Sequence, residues 1–155
     1  MIKKRSKFNI DNSDKGKLKR TYKDIQYASE MEMRYFRDWI EPRLASGEII
    51  KCEKQIKYPL QPAFEYQGKK FNAINYISDF DLTFSDGTFK VIDIKGMLKN
   101  EDKIKEKMFK YHYPDITFEF IGESKIDGGW VLLDTILKAR AKRSKDKKNK
   151  LKGDK

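Results

Sequence analysis

Apolar residues recur at three- and four-residue intervals between Asp24 and Leu44, at Met31, Tyr35, Phe36, Trp39, Ile40 and Leu44, with Arg34, Arg37 and Glu41 on the opposite face. That spacing predicts an amphipathic helix. Pro42 implies a kink or a short second turn within it, and Gly47 a C-terminal stop. Ile49 to Tyr58 then reads as a first strand, broken by Pro59 and Pro62. After a Gln67-Gly68 turn comes a second extended run, Phe71 to Phe84, and Ser85-Asp86-Gly87 turns the chain into a third strand, Phe89 to Ile94. Helical periodicity returns from Glu101 to Tyr113 and stops at Pro114; Asp115 to Ile121 alternates as a fourth strand, and Trp130 to Ala139 reads as a last helix. The order α, β, β, β, α, β, α predicts an α/β fold: a mixed sheet of four or slightly more strands flanked by helices.

Charge divides this pattern into three. Residues 1–23 and 140–155 each hold nine Lys/Arg against two Asp/Glu, whereas 24–139 hold 17 against 20. The net charge of +11 therefore resides in two basic ends, expected as disordered arms around a slightly acidic domain at 24–139. Such arms attract polyanions, nucleic acid first among them. Ten Phe, eight Tyr and two Trp in 155 residues require a folded core. A single Cys52 and a single His112 argue against disulfide scaffolds and zinc enzymes. No run of about 18 apolar residues is present, so a soluble, cytoplasmic protein without membrane partners is expected.

The candidate chemistry lies in the third strand. Asp93-Ile94-Lys95 is one of several acid-x-Lys triplets, with Glu101-Asp102-Lys103, Glu123-Ser124-Lys125 and Asp146-Lys147-Lys148. Only Asp93 and Lys95 interrupt an otherwise apolar strand, where a charge is costly unless paired or metal-bound. If Ser85-Asp86 forms a type I turn with Gly87 in a left-handed bulge, paired residues sum to 172. Asp79 then lies opposite Asp93, Lys95 opposite Ile77 on the same face, and Phe80, Leu82, Phe84, Ile92 and Ile94 share the other. Cross-strand carboxylates about 5 Å apart repel unless a cation lies between them. Mg²⁺ suits, since it uses one or two carboxylates and keeps several waters; the competing reading is a solvent-facing pair neutralised by Lys95. Glu32 falls in the row Ala28, Glu32, Phe36, Ile40 that should face the sheet. Ser29-x-x-Glu32 also fits a capping box, although a helix starting near Asp24 would leave Glu32 inside it.

Taken in order, Ser29-Glu30-Met31-Glu32, Tyr76-Ile77-Ser78-Asp79-Phe80 and Asp93-Ile94-Lys95-Gly96 resemble the PD-(D/E)xK nuclease superfamily. Ser78 stands where many of its members have Pro. The wider run, with Leu60-Gln61-Pro62-Ala63-Phe64 and Lys110-Tyr111-His112-Tyr113-Pro114, is similar over about residues 27–121 to small phage and prophage proteins of the DUF1064 family. The resemblance implies an αβββαβ, restriction-endonuclease-like core and a metal-dependent DNA endonuclease. Small phage members resemble Holliday junction resolving endonucleases, which act as dimers in recombination on branched DNA. Asp79 and Asp93 would then hold Mg²⁺, with Mn²⁺ as its substitute. Glu32 would complete or orient the metal shell, and Lys95 would orient the attacking water or stabilise the developing charge. Gln55 is a candidate contact to water or phosphate, or a plain strand residue; His112 is a candidate DNA contact or a helix C-terminal cap. Two alternatives stand beside the resolvase: a non-enzymatic nucleic-acid-binding protein with a structural acidic cluster, and a nuclease acting on ends or nicks in recombination or packaging.

Overall fold

A computed structural model describes residues 10–153. The chain divides into two compact units, Met1–Ile50 and Lys51–Lys155. In the first unit a short helix α1 (Asp14–Lys19) precedes a two-stranded ribbon of β1 (Thr21–Tyr22) and β2 (Ile25–Gln26). Ser13 caps α1, its hydroxyl accepting from Gly16 N–H. Arg20 is buried, its guanidinium donating to Asp11 O at 2.6 Å and Asn12 Oδ1 at 3.0 Å. The expectation of a disordered arm over 1–23 is thus corrected at residues 14–22, because a cap and an inward-turned Arg tie this stretch down; residues 1–9 lie outside the described residues.

The predicted long helix is three consecutive pieces: α2 (Glu30–Tyr35), a π-helical turn (Phe36–Ile40) and α3 (Glu41–Ser46). It begins at Glu30 rather than near Asp24, since Ser29 adopts extended geometry and accepts from Glu32 N–H at 3.1 Å. Pro42, near the start of α3, has no N–H and would clash with a carbonyl one turn back. The widened π-helical turn before it accommodates the proline without ending the helical run. Gly47, at φ 78°, closes the segment as expected.

The following strand, β3 (Ile49–Lys54), ends sooner than its sequence suggests. Gln55 takes φ 57° and turns the chain into β4 (Lys57–Gln61), which belongs to a different ribbon. A hairpin of β5 (Phe64–Tyr66) and β6 (Lys69–Phe71) follows, and then β7 (Ile74–Ile77) pairs antiparallel with β4. β8 (Phe80–Phe84) and β9 (Phe89–Ile94) form the next hairpin, α4 (Asn100–His112) crosses over, and β10 (Thr117–Ser124) lies parallel to β9. β11 (Gly129–Leu132) and α5 (Leu133–Gly153) complete the chain. The main sheet has five strands in the order β11-β10-β9-β8-β3, with antiparallel and parallel pairs. The protein is therefore the mixed α/β fold its pattern predicts.

Three expectations change. The run from Phe71 to Phe84 is interrupted at Ser78-Asp79, where Ser78, fully buried, binds back to Ile56 through its N–H at 2.9 Å. Ile77 in consequence pairs with Lys57, not Lys95. Trp130 lies in β11, and the last helix starts at Leu133 and continues through the basic C-terminal segment. The expectation of disorder beyond residue 140 is corrected there; a helix already nucleated at Leu133 extends through Lys and Arg, which are good helix formers.

One core of the second unit joins Tyr58 and Leu60 of β4, Tyr76 of β7, Val91 of β9, Phe109 of α4 and Phe118 of β10. Its rings meet edge-on, Tyr58 to Phe109 at 5.0 Å and Tyr76 to Phe118 at 5.1 Å, an arrangement favoured by their quadrupoles. Among the described residues no helix is long and apolar enough to cross a membrane.

Candidate metal-binding carboxylate site

The β8–β9 hairpin sets the site. Phe80 pairs with Ile92, Asp81 with Val91, Leu82 with Lys90 and Thr83 with Phe89, the register predicted from a three-residue loop. Gly87 N–H donates to Phe84 O at 3.0 Å with Gly87 at φ 87°, and Phe84 N–H donates to Thr88 O at 2.8 Å. A two-residue loop would have turned every side chain of one strand to the opposite face. Phe80, Leu82, Ile92 and Ile94 are all buried on one face. The other face carries Asp81, Val91 and Asp93, and these are buried too. A face expected to meet solvent is covered instead, in part by the aromatic core around Val91.

Asp79 stands just beyond the last ladder pair, Phe80 with Ile92, in the bend between β7 and β8. Its carboxylate replaces part of the missing ladder: Oδ2 accepts from Ile94 N–H at 2.7 Å, while its own N–H donates to Ile92 O at 3.1 Å. A carboxylate used in this way has a fixed direction.

Asp93 is 6% exposed, and burial outweighs the attraction of Lys95 to push its carboxyl up to about 6. Lys95 Nζ lies 3.3 Å from Asp93 Oδ1 and 3.4 Å from Asp102 Oδ1. Burial works against the charge of Lys95, but Asp93, Asp102 and Asp79 together outweigh it and raise the ammonium's pKa. Lys95 is cationic at neutral pH. Its backbone is fixed as well, since Lys95 N–H donates to Ile121 O at 2.9 Å and extends the β9–β10 pairing past Ile94.

Two participants escaped the sequence reading. Asp102 belongs to a triplet that composition made uninformative, yet its Oδ2 accepts from Lys99 N–H at 2.8 Å while its Oδ1 faces Lys95. An acid three residues after a helix-starting position is the signal that marks it. Asp81 is 3% exposed; Tyr58 donates its hydroxyl to Oδ2, and Oδ1 has no hydrogen-bond donor. Burial raises its pKa against the opposing hydrogen bonds of Ser78 and Tyr58. Its parity with Asp93 in the predicted hairpin was the available clue.

The remaining candidates lie on other elements. Glu32 belongs to the first unit, buried at the third position of α2, where Oε1 accepts from Ser29 Oγ at 2.9 Å. Ser29 is the N-cap, its hydroxyl accepting from Glu32 N–H and donating to the Glu32 carboxylate, a side-chain variant of the expected capping box. Gln55 is an exposed turn residue rather than a strand residue. His112 is the exposed last residue of α4, ten residues from Asp102 and so about 15 Å along the axis. The structure brings Asp93, Lys95 and Asp102 together, with Asp79 in electrostatic reach, and leaves Gln55 and His112 at other elements.

Among the described residues no three His, Cys, Asp or Glu side chains form a preformed metal cage. The arrangement still fits Mg²⁺, which needs one or two protein carboxylates and retains waters. A buried Asp93 whose charge is disfavoured, beside a direction-fixed Asp79, gains from a hard cation. The chain belongs to the family described as "Protein of unknown function (DUF1064)", which matches residues 12–126. No curated protein matches it.

Proposed function

We propose that this DUF1064 protein is an Mg²⁺-dependent DNA endonuclease of the PD-(D/E)xK type, selective for branched DNA and active as a homodimer. The observation that carries the reading is the convergence of Asp79, Asp93 and a cationic Lys95 at one end of the β8–β9 hairpin. Asp79 and Asp93 would hold the metal, with Mn²⁺ able to replace it. Bound there, Mg²⁺ polarises a phosphate and lowers the pKa of a coordinated water.

The chain's own residues do the rest. Ile94 N–H orients Asp79, so its position is held before the metal arrives. Lys95, kept protonated by three carboxylates, offers positive charge to the phosphate as charge develops, and so serves as electrostatic stabiliser rather than base. Asp102 positions Lys95 from the start of α4. The exposed basic residues around the C-terminal half of α5, Arg140, Lys142, Lys145, Lys147 and Lys148, supply salt-dependent contacts to phosphates. Two active sites in a symmetric dimer would allow opposed strands of a junction to be cut.

One observation favours a second reading, a nucleic-acid-binding protein without activity: Lys95 is already flanked by Asp93 and Asp102. The two separate on an end-labelled four-way junction and the matching linear duplex, each with Mg²⁺ and with Ca²⁺ as a binding-only control. Symmetric cuts near the branch point, abolished in Asp93→Asn with binding retained, are expected. Binding without cutting of junction, flap, nicked or linear DNA overturns the nuclease.

A further inference from the structure

The β5–β6 hairpin carries an aromatic face with no role in the carboxylate site. Register places Phe64 opposite Phe71, Glu65 opposite Lys70 and Tyr66 opposite Lys69. Alternation along each strand then sends Phe64, Tyr66, Lys69 and Phe71 to one face and Glu65 with Lys70 to the other. Gln67 and Gly68 both have positive φ, 49° and 75°, the tight turn whose twist suits a hairpin. The ribbon is a sheet of its own.

Its aromatic face is open: Phe64 is 44%, Tyr66 60% and Phe71 37% exposed. A two-stranded hairpin is marginal unless its side chains hold it. Here the Phe64 and Phe71 rings stack at 4.9 Å and 6°, and Lys69 Nζ lies 5.4 Å from the Phe71 ring centroid. Exposed aromatics among Lys side chains give two separable affinities, π-faces for bases and ammonium groups for phosphates. Spacing fits as well. Residues two apart on a strand, as Phe64 and Tyr66 are, stand about 7 Å apart, about twice the 3.4 Å per-strand rise of stacked nucleic acid. A separation of that size matches one base with a stacking distance on each side.

We infer that the β5–β6 hairpin is a stacking platform for unpaired bases of DNA, engaging the single-stranded or unstacked part of the substrate. Charge complementarity selects this occupant: Lys69 lies on the aromatic face, while the one carboxylate of the hairpin, Glu65, is paired with Lys70 on the other, so the open face presents a cation and no anion, which suits a polyanion. The inference rests on the reading of DNA as partner and adds which part of the DNA is gripped and by what.

The test uses the full chain with Ca²⁺, so that cleavage is not needed. A single-stranded oligonucleotide containing 2-aminopurine and a blunt duplex of the same sequence are titrated with the unaltered protein, Phe64→Ala/Tyr66→Ala, Phe64→Leu/Tyr66→Leu and Lys69→Gln/Lys70→Gln. Both aromatic variants are expected to weaken single-strand binding about tenfold or more, to lose the stacking-dependent change in 2-aminopurine fluorescence, and to leave duplex binding within twofold. The Leu pair keeps apolar bulk without a π-face and guards against a folding artefact, checked by an unchanged Tm. The Lys pair should instead reduce the salt dependence of single-strand binding, with the fluorescence change retained. Equal losses on single strand and duplex, or no loss on either, overturn the platform while leaving DNA as partner. A fall from dimer to monomer in the aromatic variants at unchanged DNA affinity assigns the face to a second copy and also overturns it. Failure of the unaltered protein to bind either DNA overturns the platform and the DNA reading together, whereas an intact platform without cleavage of any substrate overturns only the nuclease.

Discussion

Asp81 and Asp93 sit on the same face of neighbouring strands, at 3% and 6% exposure, and burial raises the pKa of both. Their partners separate them. Asp81 is held by the Tyr58 hydroxyl and is influenced by Ser78, both neutral donors. Asp93 faces the Lys95 ammonium, with Asp79 and Asp102 contributing to the same field. Burial alone therefore does not distinguish a carboxylate that holds the fold from one poised for a cation; the charge of what faces it does.

The sharpest test removes the carboxylate at each position. Asp93→Asn should lose cleavage of the junction entirely while the protein remains folded. Without divalent metal its stability at pH 7 should rise by up to about 3 kcal/mol, the cost of an Asp pKa raised from about 3.9 to about 6. The sign follows from linkage. With the folded pKa above the unfolded one, the contribution of neutral Asp93 is full below about pH 4 and is lost as pH rises through about 6. Denaturant titrations between pH 4.5 and 7.5 should show this decline in the unaltered protein and not in Asp93→Asn. Mg²⁺ affinity, on the proposed site, should move oppositely, weakening about tenfold per pH unit below about 6 as the carboxyl protonates. Asp81→Ala should do the reverse of Asp93→Asn, costing about 1–3 kcal/mol by leaving the Tyr58 hydroxyl buried without its acceptor, and leaving Mg²⁺ affinity within twofold by calorimetry. A loss of metal binding in Asp81→Ala would erase the distinction.

Smaller effects are expected one residue further out. Asp102→Asn keeps an acceptor for Lys99 N–H but removes the second charge on Lys95. A fall of about tenfold in kcat, with KM and Tm little changed, is expected of a positioning residue. Equal falls in kcat and Tm would make Asp102 a helix cap only. Gly122 has a different constraint: an added Cβ would meet Ile136 Cδ1 at 2.9 Å, Leu133 Cδ1 at 3.1 Å and Lys95 O at 3.1 Å. Gly122→Ala should cost about 1–3 kcal/mol by overpacking, read as a lowered denaturation midpoint, and should lower cleavage further through the displaced Lys95 backbone.

How much of this was legible varies with the range of the interactions. The hairpin register could be worked out because loop length, Gly87 and the alternation of Phe80, Leu82, Ile92 and Ile94 admit one consistent pairing. The break at Ser78-Asp79 could not, because it depends on Ser78 reaching Ile56, 22 residues away. For the same reason β4 and β7 leave the main sheet, and the face of Asp93 is buried rather than wet. Gln55 looked like a strand residue because a single left-handed φ leaves no trace in a polar pattern. Helix α5 outran its apolar segment because Lys and Arg sustain a helix that something else nucleates. Asp102 was hidden by abundance, since acid-x-Lys triplets are common in so basic a chain.

Glu32 puts the question asked of Asp81 and Asp93 to the first unit. Its Oε1 accepts from the Ser29 hydroxyl, while the sequence pattern marks it for the metal shell. Two substitutions separate these roles. Ser29→Ala removes the cap and should cost about 1 kcal/mol, with cleavage unchanged at a temperature where the protein is fully folded. Glu32→Gln keeps an oxygen acceptor for the Ser29 hydroxyl, so stability should move by no more than about 0.5 kcal/mol, but it removes the negative charge. Loss of cleavage at that unchanged stability is the expected outcome, and would show that a carboxylate can serve a cap and the reaction at once. Full cleavage in Glu32→Gln would place Glu32 with Asp81, on the side of the fold.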